Sequence, residues 1–291
     1  MSERACSRYS PRMVKQWVCP TCGTGVDSLH CPACGEKALQ PKDLTFLGLM
    51  TQVFHTLSSI DSRLLRSLKV LVTRPGAITN AYVLGPRKPY IGPFQLFLIV
   101  NVAFFAVQAF ADSPIFSNSL HSHLYGQDWS AFARNLVESK LAARHTTLAT
   151  YTQVFDHAVD VNARSLVILL VLPFTLLLIP LFATSHRPFV THLVFALHLL
   201  AFLLLCSCVL LLFTLLEKWL GGSGLRSPLV DWGTFVVLTG VIATYLYVAT
   251  GAVYGASGLV RGPKVALLAV VIAAAVPGYR FLIFMVTLYY T

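Results

Sequence analysis

The chain has 291 residues, of which 56% are hydrophobic and only 12% charged, against about 25% charged in an average water-soluble domain. With a mean hydropathy of +0.69, these values exclude a body wetted on all sides and point to a lipid environment. The formal net charge of +10 is unevenly placed, because twelve of the 22 Lys and Arg but only five of the 12 Asp and Glu lie in residues 1–88. A basic polar head on an apolar body suits an anionic membrane surface better than nucleic acid.

In chain order, residues 1–16 read as a disordered basic tail with an isolated Cys6. They lack the apolar stretch of a cleavable signal peptide, so insertion is expected to begin at the first true span. Residues 17–40 then carry Cys19-Pro-Thr-Cys22-Gly and Cys31-Pro-Ala-Cys34-Gly. Two C-x-x-C pairs offer the four thiolates that tetrahedral zinc takes, and Gly23 and Gly35 let the backbone bend toward the sulfurs. A redox C-x-x-C would occur once, and a disulfide pair would need an oxidising compartment. The expected cofactor is therefore one structural Zn²⁺ on Cys19, Cys22, Cys31 and Cys34, closed to substrate and folding a segment with almost no apolar core. His30 is not needed as a ligand.

Residues 41–92 form the approach to the membrane. Leu64, Leu65, Leu68, Leu71 and Val72 recur at helical spacing while Arg63, Arg66 and Lys69 fall three apart, the pattern of a basic amphipathic helix that lies among headgroups or packs on the membrane body. Pro75-Gly76 is expected to stop that helix and Gly85-Pro86 to make a second break. Arg87 and Lys88, with Tyr82 and Tyr90, then sit at headgroup level. They are an anchor or, more sharply, a phosphate or lipid-headgroup site.

Residues 93–291 read as an all-α transmembrane domain with spans near 93–111, 165–184, 189–216, 233–254 and 264–289, each close to the 20 apolar residues that cross a bilayer. Residues 112–164 form a largely helical extracytoplasmic insertion, with Phe132, Leu136 and Leu141 on a helical pattern. With the N-terminus in the cytoplasm, fifteen Lys and Arg fall inside and six outside, which places the C-terminus outside. Inside the spans, His192 and His198 are six residues apart, roughly 9 Å along a helix and 120° around it, so they cannot share a metal from one helix and are expected to face other helices. Cys206 and Cys208 read as small core residues. Pro277-Gly278 suggests a break in the fifth span, with Arg280 beyond it either lining that break or reaching for the interface. His121, His123, His145 and His157 join Asp156 and Asp160 in the insertion, too scattered for an evident metal or acid–base site. The Gly-rich run at Gly221 reads as a flexible connection.

Taken together, the cysteine pairs, Arg74-Pro75-Gly76, the run Tyr82-Val83-Leu84-Gly85-Pro86-Arg87-Lys88-Pro89-Tyr90, Pro93, and His192-Leu-Val-Phe-Ala-Leu-His198 resemble a family of uncharacterised bacterial multi-span membrane proteins, a domain of unknown function with an N-terminal zinc ribbon. The resemblance implies a bacterial inner-membrane location and supplies no reaction. No nucleophile elbow, P-loop, dinucleotide fingerprint or H-E-x-x-H is present. The expected function is non-enzymatic, with the zinc module recruiting or regulating a cytoplasmic protein partner beside the bilayer. The alternatives are a small-solute transporter or channel, motivated by the fifth span and the intramembrane histidines, and a lipid-acting membrane enzyme using Arg87 and the His/Asp group.

Overall fold

Hydrocarbon offers no partner for a backbone amide or carbonyl, so apolar stretches of this length fold as helices that bond internally. The computed structural model of the chain describes residues 16–38, 62–111, 115–221 and 228–291. The N-terminal tail with Cys6, residues 39–61 of the approach and most of the Gly221 run lie outside them. A two-stranded antiparallel hairpin, β1 (Trp17–Val18) and β2 (Gly25–Val26), opens the described chain. The approach supplies α1 (Ser62–Thr73) and α2 (Ala77–Leu84), separated as expected at Pro75-Gly76. There follow α3 (Pro93–Ala111), α4 (Leu120–Tyr125), α5 (Ser130–Arg144), α6 (Leu148–Leu166), α7 (Val171–Leu181), α8 (Phe189–Trp219), α9 (Pro228–Tyr254) and α10 (Arg261–Tyr290).

Five stretches are long and apolar enough to cross a membrane: Pro93–Ala111, Leu148–Leu181, Phe189–Glu217, Gly233–Tyr254 and Arg261–Tyr290. The chain is an all-α, multi-pass membrane protein with a cysteine module ahead of its first span. The expected second span, 165–184, needs correcting. It is the latter part of a 34-residue stretch in which α6 and α7 join through the 3₁₀ turn Val167–Leu170. At 1.5 Å per residue that stretch is about 50 Å long, well beyond the ~30 Å hydrocarbon core, so one end stands clear of it. The polar sequence of α6 hid this continuity, but its buried stripe Tyr151, Phe155, Val159 and Ala163 repeats every four residues. In α5 the buried positions are Ala133 and Val137, whereas Phe132 is exposed and Leu136 and Leu141 only fringe the core.

The expected break at Pro277-Gly278 does not occur either, since α10 runs unbroken from Arg261 to Tyr290. Proline removes a single backbone donor, and a spanning helix absorbs that loss where neighbouring helices support it. Tyr279, two residues along, anchors this region by donating from Oη to the carbonyl of Ala163 at 2.8 Å.

The centre of the bundle is α8. Residues 190–202 are buried without exception, the signature of a helix surrounded on all sides. Its most extensive partner is α3, and α7 packs along another flank. Toward the cysteine module, α1 lays Leu64, Leu68 and Leu71 on this body and leaves Leu65 73% exposed. The buried Ser67 Oγ ties α1 to the following turn, donating to the Arg63 carbonyl (2.8 Å) and accepting from the Ile91 amide (3.0 Å). α2 sits against α9, where Asn80 Nδ2 donates to the Ala252 carbonyl at 2.8 Å. Gly76 makes this approach possible: its φ is +84°, and a Cβ there would lie 3.0 Å from both the Ala249 carbonyl oxygen and Ala252 Cβ. Gly76→Ala is therefore expected to destabilise the folded protein by at least the roughly 1–2 kcal/mol of a left-handed non-glycine residue. This would be read as a lower melting temperature of the detergent-purified protein; an unchanged midpoint would mean that α2 does not need this close contact.

Candidate metal centre and the adjoining cleft

Each C-P-x-C-G segment folds into the same tight turn. In the first, the Gly23 amide donates to the Cys19 carbonyl (2.8 Å) and the Cys19 amide to the Thr24 carbonyl (2.8 Å). In the second, the Gly35 amide donates to the Cys31 carbonyl (2.6 Å) and the Cys31 amide to the Glu36 carbonyl (2.7 Å). Gly23 and Gly35 occupy the left-handed region, with φ of 74° and 70°, which glycine enters without a Cβ clash. The turns face each other and interleave their sulfurs, with Cys19 Sγ 3.5 Å from Cys34 Sγ and Cys22 Sγ 3.5 Å from Cys31 Sγ.

All four sulfurs lie within 4.8 Å of one another and form the one group of three or more His, Cys, Asp or Glu among the described residues that can hold a metal ion. The cysteines are free thiols, and these separations are far beyond a sulfur–sulfur bond of about 2.05 Å. They bracket the roughly 3.8 Å expected between thiolates placed tetrahedrally at ~2.3 Å from one ion. Within the cluster the thiol pKa values are pushed apart: donation from the Thr24 hydroxyl and backbone lowers Cys22, while at Cys34 the Glu36 backbone bond, which lowers it, is outweighed by desolvation and the neighbouring thiols, which raise it. Apart from the sulfurs, the module's core is little more than Val26 and Trp17, so it has scant apolar burial to hold it folded.

The module is fastened to the approach segment by a residue that sequence reasoning passed over. Glu36, 4% exposed, accepts at Oε2 from the Thr21 hydroxyl (2.7 Å) and from the Lys88 amide (3.1 Å). Lys88 Nζ in turn donates to the Cys34 carbonyl. The available signal was a carboxylate directly behind the second cysteine turn in an otherwise basic head.

Beside this clamp lies a cleft of about 340 Å³, lined from the module by Glu36 and Lys37, from the approach by Arg63, Arg87 and Lys88, and at its base by His198 of α8. The structure thus brings Arg87, Lys88, Tyr82 and Tyr90 together and adds His198 to them. Arg87 lies over the Tyr82 ring, 4.7 Å from its centroid, and its Nε donates to the Tyr82 carbonyl at 3.0 Å.

The other polar candidates are dispersed. His192 Nδ1 lies 3.2 Å from Tyr254 Oη, and His198 Nδ1 lies 2.8 Å from Thr79 Oγ1, so the two face α9 and α2 respectively. Arg280 lines no break. Its Nε donates to the Ile115 carbonyl at 2.7 Å, bonding the fifth span to the segment after α3. Asp156 accepts the Leu120 amide at 2.7 Å, Asp160 pairs with Arg164 at 2.6 Å, and His145 ends α5 in the left-handed conformation. His121 packs tilted against the Tyr125 ring and His157 is exposed. These groups serve helix ends and packing; of them, Asp156 and Arg280 line one cavity of about 400 Å³, with Ser117, Asn118, Ser119 and Ser122 and without a histidine.

His123 is the exception in burial, with its ring 4.8 Å from that of Phe284 and its Nδ1 accepting from Trp129 Nε1 at 3.3 Å. Burial, with the positive charge of Arg280 second, pushes it down to about 4, against roughly 6.5 when unfolded. Between those values the unfolded chain holds the extra proton, so stability falls as pH drops from about 6.5 toward 4. His123→Gln is expected to flatten that part of the curve, measured as melting temperature against pH; an identical slope in the variant would locate the titrating group elsewhere.

Residues 61–105 match a family model described as "Protein of unknown function (DUF3667)". The match spans α1, α2, the turn bearing Arg87 and Lys88, and most of α3, and leaves the cysteine module outside it. No curated protein and no solved structure matches the chain.

Proposed function

We propose that this is a non-catalytic membrane protein of a bacterial inner membrane, with a structural zinc ion holding an N-terminal knuckle on the cytoplasmic face, where it recruits or regulates a protein partner. The observation that carries the reading is the convergence of four thiols in a module that is itself clamped to the membrane body through Glu36 and Lys88. Zinc fits the donor set, because four thiolates at tetrahedral spacing suit that ion and leave no open position for a substrate. With so small an apolar core, the ion would supply most of the folding free energy of the knuckle. The cytoplasmic side follows from the excess of Lys and Arg in the head and in the connections on its side of the bundle. Exposed positions on the knuckle such as Val18, Thr24 and Asp27 leave it surface to offer a partner while Glu36 holds it in place.

The alternatives have less behind them. A transporter was suggested by a broken fifth span and by the intramembrane histidines; α10 is continuous, and His192 and His198 lie against Tyr254 and Thr79. A lipid-acting enzyme was to use Arg87 with the His/Asp group of the insertion; none of that group lines the cleft that holds Arg87, and Asp156, Asp160 and His145 are engaged in capping and pairing.

Metal analysis of the detergent-purified protein is expected to give one zinc per chain, lost in Cys31→Ser. Crosslinking in cells followed by purification is expected to recover a protein with the wild type that is depleted at least several-fold with the variant. Equal recovery by both would remove the recruiting role, and a metal-free wild type would remove the zinc. A second prediction concerns the clamp. In Glu36→Ala, hydrogen exchange at the Lys88 amide and around Gly35 is expected to rise together by tenfold or more while zinc content holds; protection unchanged at both would mean that the clamp is unnecessary.

A further inference from the structure

The cleft between the knuckle and the bundle contains polar atoms that the fold does not use. His198 is only 2% exposed, yet its Nε2 has no hydrogen-bond partner among the described residues; the same is true of Arg87 Nη2. Both residues line the same cavity. A buried polar atom without a partner ordinarily costs about 1–3 kcal/mol, so two of them on residues that border one cleft point to a ligand there more readily than to an accident of packing.

The kind of ligand follows from charge and donor type. Among the described residues the lining carries four cations, Arg63, Lys37, Arg87 and Lys88, and one carboxylate, Glu36, whose Oε2 already accepts two hydrogen bonds. With the Thr79 hydroxyl assigned as donor to His198 Nδ1, the neutral ring carries its proton on Nε2, a donor at the margin of the cavity. The guanidinium of Arg87 is pre-aimed, its Nε held by the Tyr82 carbonyl and its plane by the Tyr82 ring. The start of α3 at Pro93 adjoins the same space through Gly92, adding the partial positive charge of a helix N-terminus. Donors and positive charge thus outnumber the acceptors that the described residues bring to this space, the arrangement that selects a phosphate group. At about 340 Å³ the cavity falls at the lower end of the ~300–1,000 Å³ range of small-molecule pockets, which leaves room for more than the phosphate itself. Ile78 and Ile91 supply an apolar wall.

We propose that the cleft binds a phosphate-bearing anion of glycerol-phosphate size, either a phospholipid headgroup or a free phosphate ester. Arg87 and His198 donate to the phosphate, and the knuckle closes over it. The ligand would bridge three parts of the chain, namely the knuckle, the approach turn and α8. This goes beyond the recruiting role and does not depend on which ion the cysteines hold.

The test uses the full-length protein. Inorganic phosphate and glycerol 3-phosphate are titrated by calorimetry in detergent, with chloride at matched ionic strength as control. In parallel, native mass spectrometry counts lipids retained from nanodiscs of phosphatidylcholine with and without phosphatidic acid. Saturable binding of the soluble ester, weakened tenfold or more in Arg87→Gln and His198→Gln but not in Arg66→Gln on the exposed face of α1, supports the site with a free ester as ligand. Selective retention of phosphatidic acid with the same dependence on Arg87 and His198, and no soluble binding, supports it with a headgroup as ligand. Equal weakening by Arg66→Gln overturns the proposal in favour of diffuse charge attraction. Should the cleft variants fail to fold, absence of saturable binding of every probe by the wild type overturns it without them.

Discussion

The constraint on which the rest depends is the complete burial of the first half of α8. Residues 190–202 have no face to lipid or water, so every polar atom they carry must be matched by another helix or left unmatched in a low-dielectric interior. His192 is matched by Tyr254 of α9, whose ring is itself stacked 4.2 Å from Phe182. His198 is matched on one nitrogen by Thr79 of α2. Those two bonds draw the ends of α2 and α9 to the same level of the bundle, where Gly76 and Asn80 complete the contact. Individually such bonds contribute about 1 kcal/mol; their larger effect is to disfavour any other rotation of α8, since turning it would take both rings away from their hydrogen-bond partners.

The same logic explains why the cysteine module sits where it does. A segment with two apolar side chains and four thiols at its centre cannot fold on burial alone, and its orientation must come from contacts outside it. Glu36 supplies them. Its carboxylate is buried, holds the two cysteine turns together through Thr21 and reaches Lys88 on the approach turn. Because that turn leads through Pro89 and Ile91 directly into α3, the geometry of the metal centre is coupled over a few residues to the start of the first span. The amide of Ile91, bonded to Ser67, closes the link to α1.

At the opposite end the insertion is fastened by its charged and polar groups rather than organised around a reaction. Arg280 and Lys140 each bond to a backbone carbonyl across the α10 boundary, and Asn162 reaches Thr287 at 2.9 Å. A cation that crosses between elements in this way trades hydration for carbonyl partners, which accounts for ionisable residues in and beside spans without invoking a transport pathway.

The amino-acid sequence by itself determined the class of the protein. Five apolar stretches, the basic head, the helix stops at Pro75-Gly76 and Gly85-Pro86 and the set of four cysteines are local properties of composition and spacing, and local physics is enough to read them. Tertiary structure alone decided the rest. The polar first half of α6 belongs to a long helix because its neighbours bury Tyr151, Phe155 and Val159, which no window of hydropathy reveals. Pro277 passes without a break because it lies on the exposed side of α10 and costs the helix a single backbone donor, while Tyr279 beside it is held by the Ala163 carbonyl. Glu36 and Lys88 are 52 residues apart in sequence, and His198 lies far beyond both. That these residues border one cleft depends on how α2, α8 and the knuckle pack, a relation between distant segments that spacing along a single chain cannot encode.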